Sequence, residues 1–491
     1  MFLCLMTDLK FTFLCLLVRM QRMYTIPRMI RTNLRRCFRN YVNSSDRKKI
    51  CVVGSGPAGF YTAQHLLKNN ITEVDIYEKL PVPFGLIRYG VAPDHPEIKA
   101  VINSFTKIAL DPRCNFFGNV NVGQDIKVSE LLNVYNAVVL ACGASNDKML
   151  GIPGESSKNV LSARHFVGWY NGHPDHVNEE INLNTEVVTV IGHGNVALDV
   201  ARILLRNLED LKTTDITEYA FEALKKSHVR KVILAGRRGP LQVSFTIKEL
   251  REMIKLPGCN VVMNPLDFHG VPELLSSLPR PRKRLLELLC DTALKNESCK
   301  EASKAWELQF FRRPKAIICD AHKRVEKIVF GVNKIKGNLE DAQIINTDEE
   351  EEVECGLVLR SVGYQSIPID EYVPFDKTKH IIPNVEGRVK DRAGLYCSGW
   401  VKTGPTGVIL STMYGSYETA EKLLEDIEKG EVPSAVSGTK ENILELLRSR
   451  GVKHTTFDSW LSIDKVEQER GKAKDKPREK IYHVREMLQV V

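Results

Sequence analysis

Short β-branched apolar runs alternate along this chain with glycine-rich turns and longer stretches of helical period. Ile50–Val53 is such a run, and Gly54-Ser55-Gly56-Pro57-Ala58-Gly59 follows it. Apolar positions then recur at helical spacing through Leu67, and a second run, Val74–Tyr77, is closed by Glu78. Strand, glycine turn, helix and strand make one βαβ unit. The pattern returns at Glu186–Ile191, with Gly192-His193-Gly194-Asn195-Val196-Ala197 behind it and a helix through Leu205. Asp210–Ser227 reads as a helical insertion before the next strand, Lys231–Ala235, which ends in Gly236-Arg237-Arg238.

Between the two units Ala137–Leu140 is a buried strand, and Gly151–Gly154 is a turn suited to a domain crossing. Further on, Gly356–Ser361 and Leu395-Tyr396-Cys397 read as strands, and a helix is expected over Thr406–Leu424. The acids of Asp348–Glu354 suggest a solvated hairpin or loop, and Gly471–Lys480 a charged loop without a core pattern. The fold class expected is α/β with two Rossmann-like dinucleotide-binding domains.

The first glycine turn has a complete setting. Gly54 permits the tight turn, Gly56 lets backbone approach a pyrophosphate, and Gly59 lets helix and strand pack closely. The pyrophosphate would meet free N–H groups at the helix N-terminus, with Glu78 placed for the ribose hydroxyls. The second unit, Gly192 to Gly194, differs where it informs most. In place of an acid it carries Arg237 and Arg238, whose guanidinium groups suit a 2′-phosphate and so favour NADP over NAD. Two sites of opposite preference point to a flavin and a nicotinamide: NADPH gives up a hydride, and a flavin can take it and release electrons singly.

Charge and cysteine usage narrow the setting. The formal charge is +8 over 491 residues, but residues 1–45 hold +7 of it, with eight basic residues and the single acid Asp8. An arginine-rich, nearly acid-free leader is expected to be a mitochondrial transit peptide, with a secretory signal as runner-up because Phe11–Val18 is apolar. No apolar run approaches the length of a membrane span. The 12 cysteines include no C-x-x-C pair, so buried free thiols in a reducing compartment are expected, no metal site, and no relay through a protein dithiol. Electrons must then leave to an outside acceptor. Arg280, Arg282, Lys283 and Arg284, set before a helix at Leu285–Leu289, are the candidate docking patch for an acidic partner, with Arg312, Arg313 and Lys315 second. Neither run is interleaved with stacking aromatics, which speaks against nucleic acid.

Several segments carry a resemblance: VVGSGPAGFYTAQHLL from Val52, DIYEKLPVPFGLIRYGVAPDHPE from Asp75, GNVALDVARILL from Gly194, GRRGPLQVSFTIKELREM from Gly236, YCSGWVKTGPTGVI from Tyr396 and, more weakly, GKAKDKPREK from Gly471. The chain resembles the mitochondrial NADPH:adrenodoxin oxidoreductase family of ferredoxin–NADP reductases. The resemblance implies a glutathione-reductase-type flavoprotein with the NADP domain (147–365) inserted into the FAD domain (46–146 and 366–491). It implies FAD contacts at Ala58, Glu78, Leu86, Val122, Trp400, Gly407, Val408 and Ile409. It implies NADP contacts at His193, Gly194, Asn195, Val196, Arg237, Arg238, Glu249, Trp400 and Gly407, with the His193 contact made by backbone.

The same resemblance places His95 near the flavin, paired with Glu249 in handling a proton, and Asp199 beside the nicotinamide. Read from the residues, Thr406-Gly407 opens a helix whose N–H groups could meet the flavin's pyrimidine edge. The partner implied is an acidic two-iron two-sulfur ferredoxin of the adrenodoxin type. The location implied is the mitochondrial matrix, with the inner membrane as a candidate peripheral contact. The downstream processes implied are cytochrome P-450 steroid metabolism and iron–sulfur cluster assembly. Two other functions fit the motifs: a flavin reductase with a small-molecule acceptor, and a non-catalytic NADPH redox sensor.

Overall fold

The computed structural model describes residues 47–295, 302–336, 343–433 and 438–491. The basic leader at 1–45 lies outside them, as do Cys4, Cys15, Cys37 and Cys299. Two sheets dominate. In the first, Leu395–Cys397, Ala137–Leu140, Lys48–Val53, Thr72–Tyr77 and Cys114–Phe117 lie side by side and parallel, and Asn384–Val385 and Arg388–Val389 extend one edge antiparallel. The second runs Val160–Ser162, Leu357–Arg360, Val187–Ile191, Lys231–Ala235, Lys304–Gln309, Cys259–Met263, all parallel. Every strand of the second lies in sequence between the two runs that build the first. One dinucleotide-binding domain is therefore inserted into another.

The central strands are largely apolar because both faces of each sheet are covered, although one face of the second sheet, at Ile191, Ile233 and Val358, packs on Ile317, Ile328 and Phe330 of a small antiparallel sheet rather than on helices. Ile50, Cys51, Val138, Val139, Val188 and Val232 have no exposed surface. The helix Pro57–Leu67 packs beneath the helix Ile409–Lys429 through a buried hydroxyl chain. Thr62 Oγ1 donates to Ser398 Oγ at 3.1 Å, and Ser398 Oγ to Ser416 Oγ at 3.0 Å. That late helix begins at Ile409 rather than at Thr406, because Gly407 turns the chain at φ +84°. The insertion at Asp210–Ser227 is helical as expected, in two pieces, Leu208–Lys212 and Glu218–Lys225.

Three charged segments carry more order than their sequence reading, although the acid run is the solvated hairpin expected, paired antiparallel with Val325–Lys336. The acid run is one strand, Gln343–Glu354, of a three-stranded antiparallel sheet. Its carboxylates are matched by cations across the sheet: Glu351 by Arg312 at 2.6 Å, Glu352 by Lys327 at 2.7 Å, and Glu350 by Lys315. Beyond the helix end at Lys472 the segment to Lys480 is the charged loop expected, yet it makes core contacts. Lys476, Glu479 and Lys480 are buried against the insertion: Lys480 Nζ stands 3.0 Å from Asp215 Oδ2, Lys476 Nζ donates to the Ile216 carbonyl, and Glu479 Oε1 accepts from the Glu218 N–H at 3.0 Å. Arg280 to Arg284 form the first turn of a helix, Arg280–Lys295, in which Pro281 is tolerated because first-turn amides have no helical acceptor.

The eight described cysteines are free, five of them buried. Among the described residues no helix is long and apolar enough to cross a membrane.

Candidate functional site

The first cradle is built by close approach. Gly54 takes φ +108°, and a Cβ at Gly59 would overlap the Gly54 carbonyl oxygen. At Gly56 a Cβ would meet no protein atom within 4 Å, so this turn faces open space. Gly56 N-caps the helix Pro57–Leu67 without a side-chain cap, which leaves that end's amides for a ligand. Glu78 is held at the mouth: its Oε2 accepts from Ser55 N–H at 2.9 Å and Ser55 Oγ at 2.7 Å, and Oε1 from Leu80 N–H at 3.2 Å. Leu86 is brought to the same place, since Phe84 N–H donates to Ser55 O at 3.0 Å and Gly85 lies against Gly56. Val122 sends its side chain into the apolar cluster with Val53, Tyr77 and Phe117, so only its backbone is available to a cofactor.

Distant sequence closes the cradle's other side. A Cβ at Gly399 would overlap that of Ala58, so the turn before Trp400 rests on the first glycine helix. Trp400 stacks on Tyr364 with ring centroids 5.4 Å apart. Gly407 and Val408 precede the helix Ile409–Lys429 at an exposed edge, but Val408 N–H is already taken by Ser411 Oγ at 3.0 Å.

The second cradle repeats the first. Gly192 takes φ +132°, and Gly194 N-caps the helix Asn195–Leu205 without a side-chain cap. The loop is fastened from behind: Ser244 N–H and Oγ both donate to His193 O at 2.9 Å, and Asn195 Oδ1 accepts from Thr246 N–H at 2.8 Å. The His193 ring turns inward, with Nε2 3.1 Å from Leu234 O and its edge on Phe310, over Gly236 where a side chain would collide. Burial pushes this imidazole down to about 4. Val196 packs on the core of this domain. Arg237 and Arg238 remain exposed, while their carbonyls accept from Asn333 Nδ2 at 2.9 Å and Phe311 N–H at 3.2 Å.

Between the cradles lies a cluster that ties the domains together. Arg202, fully buried, meets Asp94 of the first domain with Nε at 2.6 Å and Nη2 at 3.0 Å, and Arg206 Nη1 adds a contact at 2.9 Å. The same guanidinium stands 2.8 Å from Asp199, 3.8 Å from Glu249 and 3.6 Å from Glu252. His95, Asp199 and Glu249 bring one donor atom each to within 4.8 Å of one another. The direct hydrogen bond of His95, however, is to Glu252, with Nε2 to Oε2 at 2.8 Å, rather than to Glu249. Both acids sit on the helix Ile247–Ile254, and the nearer partner is the one a turn further along.

Electrostatics follow from this crowding. Burial pushes Asp199 and Glu249 above the usual carboxylate range, and Asp199's charge adds to the rise at Glu249. Burial is the largest influence on His95 and acts against its imidazolium, yet the Glu252 hydrogen bond and the charges of Asp199 and Asp94 together hold His95 above its ordinary value. Burial also opposes ionisation of Asp94 and Glu252, but Arg202 at the first and His95 at the second hold them low. Glu249 Oε2 is buried with no hydrogen-bond partner.

A family model described as pyridine nucleotide-disulphide oxidoreductase matches residues 48–234. The mitochondrial NADPH:adrenodoxin oxidoreductase of Salvelinus fontinalis is 52% identical over 451 residues, covering 90% of this chain and 91% of that protein. The Homo sapiens protein of the same name is 52% identical over 450 residues, covering 90% and 92%. This chain belongs to the NADPH:adrenodoxin oxidoreductase family. Among solved structures, Mycobacterium tuberculosis FprA in complex with NADPH is similar, with a TM-score of 0.85 and 37% identity over 90% of this chain and 99% of that one.

Arg280 and Arg284 are exposed, and Lys283 lies 3.8 Å from Glu287. Arg282 is not free for docking: it donates to the carbonyls of Val243, at 2.8 Å, and Leu241, pinning the loop that follows Arg237-Arg238. Arg312 and Lys315 are neutralised by Glu351 and Glu350, so the second candidate patch loses most of its charge. Asp94, Arg202 and Glu252 all lie within the motifs that carry the resemblance, but the sequence assigned none of them a role. The one local sign was spacing, since Asp199 and Arg202, like Glu249 and Glu252, lie three apart and share a helix face.

Proposed function

We propose that this chain is an FAD enzyme that takes hydride from NADPH and passes electrons singly to an acidic two-iron two-sulfur ferredoxin of the adrenodoxin type. The observation that carries this is the pair of open glycine cradles in one chain, fastened to each other by Asp94–Arg202 and His95–Glu252. The residues fit the two groups. Gly54 to Gly59 with Glu78 would hold FAD, and Gly192 to Val196 with Arg237 and Arg238 would hold NADP. Bound in that order, the two supply hydride transfer and single-electron release.

The chain's own part is placement and charge. Glu78 keeps a lone pair for a ribose hydroxyl after its three bonds to Ser55 and Leu80. Ala58, Leu86, the Val122 backbone, Trp400 and Gly407 to Ile409 would line the FAD site. Glu249 offers its unpartnered Oε2 to the nicotinamide amide, beside Asp199. His95 holds a proton on Nε2 against Glu252, ready to compensate charge. Arg280, Lys283 and Arg284 supply the docking charge, with Arg282 reassigned to the NADP loop. We place the enzyme in the mitochondrial matrix, with inner-membrane contact as a peripheral option, upstream of cytochrome P-450 steroid metabolism and iron–sulfur cluster assembly.

The test is turnover against salt. With NADPH and a two-iron ferredoxin the rate should fall steeply with ionic strength, whereas with ferricyanide it should barely change. Equal slopes would favour the small-acceptor reductase. A yellow protein that does not bleach on anaerobic addition of NADPH would favour the redox sensor.

A further inference from the structure

Away from both cradles, two histidines converge on one carboxylate. His165 stands in the first turn of the helix Ala163–Asn171, and His176 and Glu179 follow in the loop behind it. His165 Nδ1 is 2.8 Å from Glu179 Oε1, and His176 Nδ1 is 3.7 Å from the same oxygen. The two rings stack with centroids 4.3 Å apart. One donor atom from each of the three residues lies within 4.8 Å of the other two.

His176 is the informative member. It is 5% exposed, and neither ring nitrogen has a hydrogen-bond partner. A neutral imidazole carries one donor and one acceptor, and leaving both unmet in a buried place is costly unless something else satisfies them. The placement is built, not loose. The ring lies on Gly168, one turn after His165, where any side chain would collide with it. His165 is fixed as well: its N–H donates to Ser162 Oγ at 3.1 Å, and Asp147 Oδ1 stands 3.7 Å behind its Nε2. A carboxylate behind an imidazole is the usual way to orient a metal-ligating histidine.

We propose that His165, His176 and Glu179 form a site for a divalent transition cation of the zinc class. Two imidazoles and a carboxylate suit that borderline-soft ion, with solvent completing a tetrahedron. Donor atoms around tetrahedral zinc stand roughly 3.3 Å apart, between the 2.8 and 3.7 Å separations seen, so small side-chain movements suffice. The ion can enter past His165, whose side chain is 32% exposed. His173 flanks the site, with its ring 4.9 Å from that of His176, but its Nδ1 accepts from Asp175 N–H at 3.1 Å. Asp175 in turn pairs with Lys79, next to Glu78, at 3.3 Å. A bound cation would therefore brace the loop that links the second domain to the rim of the first cradle.

The experiment is a Zn2+ titration of the chelator-stripped, flavin-loaded full chain in competition with a chromogenic chelator. One equivalent should bind. His165→Ala and Glu179→Gln, both at partly exposed positions, should each weaken binding about tenfold or more, and His176→Ala should do the same. Flavin absorbance and ferricyanide reduction should be unchanged in His165→Ala and Glu179→Gln. Failure of the parent to bind one equivalent, or equal affinity in His165→Ala and Glu179→Gln, would overturn the proposal.

Discussion

Arg202 grips both carboxylate oxygens of Asp94 across the boundary between the two domains, at 2.6 and 3.0 Å, with no part of the guanidinium exposed. Removing one side of a buried pair strands the other, at a cost of about 3–5 kcal/mol. Arg202→Leu should therefore lower the denaturation midpoint sharply, and Arg202→Lys should recover only part, because an ammonium cannot reproduce the fork. Equilibrium unfolding in urea decides it; an unchanged midpoint would show that the clamp contributes little.

The His95–Glu252 bond sets a pH window. His95 is raised, so its contribution is fully present below its unfolded value and is lost as pH rises through the folded one. Glu252 is lowered, so its contribution is present above its unfolded value and is lost as pH falls through the folded one. Stability should plateau between the two and decline on the alkaline side as His95 deprotonates. His95→Gln should flatten that alkaline decline in a series of thermal melts.

Two glycines three apart should fail in different ways. At Gly59 an added methyl collides with Gly54, whereas at Gly56 it meets only open space. Gly59→Ala should impair folding itself. Gly56→Ala should fold, with native circular dichroism, but lose flavin on gel filtration because the methyl occupies the pyrophosphate's place.

The exposed pair Arg237 and Arg238 should govern coenzyme choice. Replacing both with Ala should cost about 1.5–3 kcal/mol per charged hydrogen bond lost with NADPH and little with NADH. The ratio of the two kcat/KM values is the readout, and an unchanged ratio would mean the pair does not touch the nucleotide.

Arg282 and Arg284 lie on one helix but should separate by phenotype. Arg282→Ala frees the carbonyls of Leu241 and Val243 and should raise KM for NADPH without altering the salt slope of ferredoxin reduction. Arg284→Ala should leave KM for NADPH alone and reduce that slope. Steady-state kinetics at several ionic strengths separates the two.

Both cradles were readable in the sequence because their geometry excludes side chains. Positive φ at Gly54 and Gly192, and the packing of Gly59 on Gly54, leave glycine as the residue that fits, and so leave a mark. Arg202 left none. Its partner Asp94 is far away in the chain, and an arginine in an amphipathic helix looks the same whether it meets water or a buried carboxylate. The cations opposite the acid run at 348–354 and the burial of Lys476, Glu479 and Lys480 in the tail were hidden for the same reason. Charge density suggests solvent until the register shows which cations stand opposite. His193 turned inward for want of a side chain at Gly236, a pairing across two strands that no local pattern announces.

The segment ending at Lys480 comes after every strand of both sheets, yet its Lys476, Glu479 and Lys480 are sealed against the insertion of the second domain. During synthesis the strands and glycine turns of both cradles are therefore made before this fastening exists. A chain halted short of it would also lack Ile481 and Met487, both fully buried in the core of the first domain, so a premature stop codon there would loosen the first cradle as well as its alignment with the second.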